Sequence, residues 1–129
     1  MTTVPADITA AAGITSEVPW ITIPDLCEKY ALNGSKVRRL ISDRVVLGVK
    51  LGRPAVFYLP EDFFQEAVGQ VEAVEGLAGT ITALSDAGFS DVEIIDWLHT
   101  HDAVLQESPI AALRAGRRKP VRRSAQLLF

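Results

Sequence analysis

Apolar and polar residues alternate at helical spacing in the first ordered stretch of the chain. Thr22 precedes Asp25 at the spacing of a capping box, and Pro24 lies where the first helical turn needs no N–H. We therefore expect a helix that runs to about Tyr30. Residues 32–34 contain an Asn-Gly pair and predict a tight turn before a second helix.

The second helix, at residues 35–42, separates apolar from polar side chains. Val37, Leu40 and Ile41 follow one another at positions i, i+3 and i+4, so they share the face that packs inward. By itself this pattern fits a solvated amphipathic helix as well as a helix that meets nucleic acid. The outward face and its flanks carry hydroxyls and cations, namely Ser35, Lys36, Arg38, Arg39 and Ser42.

After this helix the pattern changes to a period of two. Residues 45–51 and 55–59 are rich in β-branched and aromatic side chains, and the turn at 52–54 separates them, so they predict a β-hairpin. Lys50 lies on one arm and Arg53 at the tip. Helix, turn, basic helix and basic-tipped hairpin, in this order, are typical of a winged helix-turn-helix that binds DNA. The candidate DNA contacts are Ser35, Lys36, Arg38, Arg39, Ser42, Lys50 and Arg53.

Further helices are predicted in the second half. One covers residues 60–68, and a polar junction follows at 69–76. The apolar spacing from residue 77 predicts a helix that ends at Gly88, where glycine suits the left-handed C-terminal position. Ser90 and Ser108 each precede a further helix as its expected N-cap.

The two ends of the chain have weaker patterns. Residues 1–18 are rich in hydroxyl and small side chains without a periodic apolar stripe, so they predict a disordered tail. At the other end, residues 127–129 are apolar and are expected to pack on the preceding helices. The candidate phosphorylation sites in the tail are Thr2, Thr3, Thr9 and Thr15.

Charge is strongly segregated along the chain. Residues 35–59 hold six basic side chains against Asp43 alone, a net charge of +5, although the whole chain carries −3. Residues 60–108 hold eleven acids and no Lys or Arg, and residues 109–129 hold six bases and no acid. A basic block in an acidic protein is the pattern expected if one face meets phosphate. The last basic residues either extend that surface or neutralise the acidic helices.

Several function classes find no support in the residue types. The single cysteine, Cys27, has no disulfide partner, and it is expected to pack as a small hydrophobe far from His99 and His101. We find no nucleophile-base pair, metal-ligand spacing, cofactor motif or phosphate loop, so we do not expect an enzyme. No apolar run spans a membrane and no signal peptide is evident, so a cytoplasmic protein is expected. Three neighbouring acids are expected to form a solvated helix face: Asp91, Glu93 and Asp96.

The chain also resembles a known family over roughly residues 20–128. This is a small actinobacterial family of winged-helix DNA-binding proteins known as targets of membrane Ser/Thr protein kinases. The most particular stretch is the Gly-Phe-x-Asp-x-Glu-Ile-x-x-Trp-Leu pattern. The matching residues are Ile23-Pro24-Asp25-Leu26, Ser35-Lys36-Val37, Leu59-Pro60, Phe63-Phe64, Gly76-Leu77, Gly88-Phe89-Ser90-Asp91, Glu93-Ile94 and Trp97-Leu98.

The resemblance implies a fold and a function. We expect a mainly α protein with a small β-hairpin: a disordered tail at 1–18, a winged helix-turn-helix DNA-binding domain at 19–70 and a helical domain at 71–129. The family further implies double-stranded DNA as partner, a role in transcription regulation without catalysis, and phosphorylation of the tail by a Ser/Thr kinase. The competing hypothesis is an antitoxin-like or adaptor module, in which the acidic helices of residues 76–100 bind a protein partner.

Overall fold

The structure, a computed structural model, describes residues 4–128. Helices predominate, and short strands form two small antiparallel sheets. The helices are α1 (Ala6–Ala11), α2 (Ile23–Tyr30), α3 (Gly34–Ser42), α4 (Leu77–Asp86), α5 (Asp91–His99), α6 (Pro109–Arg114) and α7 (Arg118–Gln126). The strands are β1 (Trp20–Ile21), β2 (Val49–Leu51), β3 (Val56–Pro60), β4 (Phe64–Ala67) and β5 (Gln70–Ala73).

The predicted helix starts are confirmed by the capping hydrogen bonds. Thr22 accepts a hydrogen bond from the Asp25 N–H at the start of α2, and Asn33 accepts one from the Ser35 N–H at the start of α3. Ser90 and Glu93 form a complete capping box at α5, because each side chain accepts from the other residue's backbone N–H. Such caps fix helix ends by satisfying N–H groups that have no partner within the helix.

The predicted hairpin forms, and a third strand joins it. β2 and β3 pair from Val49 opposite Tyr58 to Leu51 opposite Val56, so that the four residues 52–55 make the turn. β1 pairs with the other edge of β3, which gives the strand order β1-β3-β2. This sheet therefore ties the hairpin to the chain segment that leads into α2.

The prediction of a helix at residues 60–68 is wrong. A short 3-10 turn at Glu61–Phe63 leads into a second hairpin, β4–β5, in which Ala67 pairs with Gln70. Both residues of its tight turn have positive φ, +53° for Val68 and +78° for Gly69. A two-residue turn of this type matches the twist of a hairpin. The polar junction predicted at 69–76 is therefore largely strand β5, and the predicted domain boundary after residue 70 falls inside this hairpin.

The described part of the predicted disordered tail is folded, which corrects that prediction for residues 4–18. α1 ends in a Schellman motif, because Gly13 takes a φ of +95° and the N–H groups of Gly13 and Ile14 donate to the carbonyls of Ala10 and Thr9. Ile14 is only 1% exposed. The segment is folded because Ile14 is buried. A single apolar residue forms no periodic pattern, so the sequence alone did not reveal this burial.

The buried apolar residues form one continuous core. It runs from Ile21 and Leu26 in the first half through Phe63 and Leu77 to Ala125 in α7. Cys27 lies half-buried against it, in keeping with its expected role as a small hydrophobe.

Polar contacts also join the two halves of the chain. His99 is stacked on Phe63, and its Nε2 lies 2.9 Å from the Asp62 carboxylate. Arg114 donates hydrogen bonds to the carbonyls of Asp62 and Phe64.

The apolar end of the chain does not pack as predicted. Leu127 is 83% exposed and Leu128 is 43% exposed, because α7 buries Val121 and Ala125 instead and then ends in a turn that projects the leucines into solvent. Phe129 lies outside the described residues.

Candidate nucleic-acid interface

Helix α3 presents polar side chains to solvent as its pattern predicts. Val37 is fully buried, and Leu40 and Ile41 are partly buried against the core. The exposed residues of the helix are Ser35, Lys36, Arg38, Arg39 and Ser42. The helix therefore attaches to the protein by one face and leaves hydroxyls and cations on the other.

Helix α2 holds α3 in place. Ala31 takes a left-handed conformation after α2, and the chain turns directly into α3. Leu26 of α2 is fully buried. Lys29 and Tyr30 at the end of α2 both donate hydrogen bonds to the Glu61 carboxylate. Partial burial of Glu61 raises its pKa, but these two hydrogen bonds outweigh the burial and lower the pKa below its ordinary value.

The β2–β3 hairpin carries the other two candidate cations. Lys50 and Arg53 are both exposed, while Leu51 and Tyr58 beside them are buried. Leu59 of β3 belongs to the buried core and Val49 of β2 packs against it, so these two residues fix the hairpin to the core. Gly48 is needed where the hairpin begins, because a β-carbon there would lie 2.6 Å from the Tyr58 carbonyl oxygen. The base of the hairpin is thus closely packed, and its tip projects the Arg53 side chain into solvent.

The five cations of this surface have no acidic partner among residues 4–128. No described carboxylate oxygen lies within 4.0 Å of the charged nitrogens of Lys36, Arg38, Arg39, Lys50 or Arg53. Arg44, in the same basic block, differs: it pairs with Asp91 of α5 at 2.9 Å. We use the name basic face for the five cations, three on α3 and two on the β2–β3 hairpin, together with Ser35 and Ser42. Its positive field is available to an external anion.

Arg38 folds back along its own helix. A methyl group on Gly34 would lie 3.3 Å from a guanidinium nitrogen of Arg38. Because glycine lacks that group, the guanidinium lies over the first turn of α3. Its charge is therefore at the N-terminal end of the helix.

The basic residues of the C-terminal segment divide into two groups. Arg114 donates to backbone carbonyls, Arg117 pairs with Glu107 at 2.6 Å, and Arg118 pairs with Glu75 at 2.8 Å. Arg117 and Arg118 thus each neutralise one acid, but Glu107 and Glu75 lie outside the acidic helices that were expected to be neutralised. The other three basic residues of this segment, Lys119, Arg122 and Arg123, are exposed, and no described acid lies within 4.0 Å of them.

The acids proposed as a solvated helix face each have a separate partner. Asp91 pairs with Arg44, Glu93 caps α5, and Asp96 accepts hydrogen bonds from Thr15 and Ser16. Within the described residues, no three metal-ligating side chains converge on one point.

The contact between Asp96 and the N-terminal segment was not predicted. One oxygen of Asp96 accepts from the backbone N–H groups of Thr15 and Ser16, both at 2.9 Å, and from the Ser16 hydroxyl at 2.7 Å. Partial burial raises the pKa of Asp96, but these hydrogen bonds outweigh it and lower the pKa. The sequence signal was Gly13 followed by an apolar residue, a helix-ending pattern.

The two candidate phosphorylation sites within the described residues, Thr9 and Thr15, therefore do not lie in an open tail. Thr9 is half-buried in α1, and its hydroxyl donates to the Ala6 carbonyl at 2.8 Å. Thr15 is exposed, and its hydroxyl donates to Oδ2 of Asp96 at 3.3 Å, the carboxylate oxygen that Ser16 does not contact. Thr2 and Thr3 lie outside the described residues.

Helix α1 lies beside the β2–β3 hairpin. A β-carbon on Gly52 would lie 4.0 Å from the Ile8 side chain. Asp7 and Ile8 line the same surface depression as Lys50 and Arg53. The segment that carries the candidate threonines is thus a neighbour of the basic face.

Comparison with known proteins identifies the family. Residues 74–128 match the family model described as the Rv2175c C-terminal domain of unknown function. Over 122 residues the chain is 31% identical to the DNA-binding protein Rv2175c of Mycobacterium tuberculosis. This alignment covers 85% of this chain and 80% of that protein. The chain belongs to the Rv2175c family.

The fold agrees with that of the family. The NMR structure of Rv2175c matches this structure with a TM-score of 0.67 at 28% sequence identity, covering 88% of this chain and 83% of that chain. The mixture of helices and small sheets is therefore common to the Rv2175c family and not particular to this chain.

The α-helices of the described chain are six to ten residues long. Between residues 4 and 128, none is both long enough and apolar enough to cross a membrane.

Proposed function

We propose that this chain is a DNA-binding protein that acts in transcription regulation. In this proposal α2 and α3 form a helix-turn-helix, and the β2–β3 hairpin is its wing. The observation that carries the proposal is the basic face: five exposed cations on α3 and the hairpin without a described acidic partner. The DNA-binding name of the Rv2175c relative supports it.

The residues of the basic face would make different contacts with DNA, depending on whether they lie on α3 or on the hairpin. Arg39 and Lys36 on α3 would contact groove edges and phosphates, since arginine to guanine is the commonest specific contact in the major groove. Ser35 and Ser42 would donate hydrogen bonds at close range. Lys50 and Arg53 would contact the phosphate backbone beside the helix, which positions the protein without reading sequence.

A salt titration of duplex binding tests this proposal. If all five cations pair with phosphates, the logarithm of the association constant should fall with the logarithm of salt concentration with a slope of about −4 to −5. Arg39→Ala and Arg53→Ala should each weaken binding and make the slope shallower by about 0.9. Fluorescence anisotropy with a labelled duplex gives both quantities.

A matched control is available on α7. Arg123→Ala removes an exposed arginine and changes the total charge equally, but it leaves α3 and the hairpin intact. We expect parental affinity and slope from it. If Arg39→Ala and Arg53→Ala bind like the parent at every salt concentration, the basic face is not the DNA-binding surface.

The acidic helices give less support to the protein-interaction alternative. Three of their carboxylates, those of Asp91, Glu93 and Asp96, are already engaged within the chain. Retention on DNA resin separates the two functions: a DNA-binding protein is retained at low salt despite a pI near 5.3, whereas an adaptor is not.

We also propose that a Ser/Thr kinase regulates binding through the N-terminal segment. A phosphate adds roughly −1.5 to −2 charges beside the basic face and lowers the potential that attracts DNA. At Thr15 it would in addition lie against the Asp96 carboxylate and repel it, which detaches the segment from α5.

The kinase proposal is tested by comparing treated and untreated protein. Phosphorylated protein should bind duplex more weakly, with the largest difference at low salt, where charges are least screened. The control is a variant in which Thr2, Thr3, Thr9 and Thr15 are all alanine, treated with the same kinase. Equal affinity of treated and untreated parent at low salt would contradict the proposal.

A further inference from the structure

The β4–β5 hairpin ends beside the N-terminal turn of α3. Gly69 and Gln70 at its tip line the same surface depression as Asn33 and Lys36. In helix-turn-helix proteins the N-terminal residues of the second helix are those that reach the base edges. The second hairpin therefore lies next to the end of α3 that would enter the groove.

Val68 at the tip of this hairpin is unusual in two respects. Its φ of +53° places a β-branched residue in the left-handed region, which asparagine or glycine adopts more easily. Its side chain is also fully exposed, at 104% of the reference area. The described chain therefore gives no stabilising contact for this side chain.

The charge of the tip limits what it can contact. Residues 67–70 carry no charge, and the nearest carboxylates, Glu66 and Glu72, lie on the strands behind the tip. An uncharged apolar tip does not attract phosphate, but it suits the deoxyribose walls of a minor groove, where DNA-binding proteins commonly place apolar side chains. Lys36, which lines the same depression as Gly69 and Gln70, places a cation beside the tip that can pair with a DNA phosphate.

We propose that the β4–β5 hairpin is a second DNA-contacting hairpin, and that it places Val68 against the sugar wall of the minor groove adjoining α3. The inference rests on the proposed DNA binding by α3. It assigns Val68 a contact with DNA that is not electrostatic, beside the N-terminal turn of α3.

Two substitutions at Val68 test the contact in opposite directions. Val68→Asn suits the left-handed turn and removes the apolar group, so we expect binding about threefold to tenfold weaker with an unchanged salt slope, because no charge is altered. Val68→Lys puts a cation at the tip, so we expect a slope steeper by about 0.9. Both are measured by anisotropy with a mixed-sequence duplex.

The same changes at another exposed valine are the control. Val104 is 80% exposed in the loop between α5 and α6, so Val104→Asn and Val104→Lys make equal chemical changes elsewhere. Circular dichroism melts verify that all four variants are folded. We expect both Val104 variants to keep the affinity and slope of the parent.

The outcomes separate this inference from the proposed function. If the Val68 variants behave like the Val104 variants while Arg39→Ala weakens binding, α3 contacts DNA and the second hairpin does not. If the parent binds no duplex at low salt, the inference and the proposed function both fail.

Discussion

Gly48 and Gly79 are both internal glycines, but the space around them differs. A β-carbon on Gly48 would lie 2.6 Å from the Tyr58 carbonyl oxygen, whereas one on Gly79 would meet nothing within 4 Å. Gly48 is therefore required by a close backbone approach. Gly79, in the first turn of α4, has room for a side chain and only weakens the helix.

The same substitution should consequently have opposite effects at the two positions. Gly48→Ala forces the base of the β2–β3 hairpin apart and should lower the free energy of unfolding by about 1 to 3 kcal/mol. Gly79→Ala should raise it by up to about 1 kcal/mol, the helix propensity difference for a helix interior, because position 79 lies in the first turn of α4. Urea denaturation measures both. A Gly48→Ala protein as stable as the parent would show that the hairpin base adapts freely.

At the scale of elements, the N-terminal segment depends on one carboxylate. Thr15 and Ser16 follow α1, and the backbone N–H and the hydroxyl of each donate to the Asp96 carboxylate of α5. The pKa of Asp96 is lowered from its ordinary value of 3.8, because these hydrogen bonds outweigh partial burial. The folded state therefore favours the ionised carboxylate.

This direction of the pKa shift predicts a pH dependence. The stabilisation by Asp96 is present above its ordinary pKa of 3.8 and is lost as the pH falls through the lower folded-state pKa. Asp96→Asn should be about 1 kcal/mol less stable than the parent at neutral pH. The difference should vanish in strong acid. Denaturant titrations of both proteins at several pH values measure it, and a difference that stays constant below pH 3.8 would contradict this account.

At the scale of the whole molecule, the two predicted domains share one core. Phe63 and Leu77 belong to the same buried cluster although they lie on opposite sides of the predicted boundary. His99, with a side chain only 3% exposed, joins α5 to Asp62. The exposed pair between Arg44 and Asp91 makes the same connection at the surface, where an ion pair contributes little to stability.

A continuous core predicts that the halves do not fold separately. A fragment of residues 71–129 loses the partner strand of β5 and exposes apolar side chains that Phe63 and Phe64 cover in the full chain. We expect it to lack a cooperative thermal transition, while residues 4–128 unfold in a single one. Calorimetry of the two proteins gives the comparison. A cooperative transition in the fragment would instead support an independent C-terminal domain.

Local signals in the sequence determined the caps of the helices, the two faces of α3 and the β2–β3 hairpin. Thr22, Asn33 and Ser90 each accept a hydrogen bond from a backbone N–H two or three residues further on. These caps therefore form without a contact to a distant part of the chain. The spacing of Val37, Leu40 and Ile41 similarly fixed which side of α3 faces solvent. These features follow from backbone geometry and periodicity alone.

Tertiary structure decided which charges remain available and which segments are held. Arg44 and Arg53 belong to one basic block, yet only Arg44 meets a carboxylate, because α5 brings Asp91 to it from 47 residues away. Asp96 fixes Ser16 from 80 residues away in the same manner. The turn at Val68 likewise forms a hairpin where a helix was predicted. Contacts between residues so far apart depend on the packing of the entire chain, which no local pattern of residues contains.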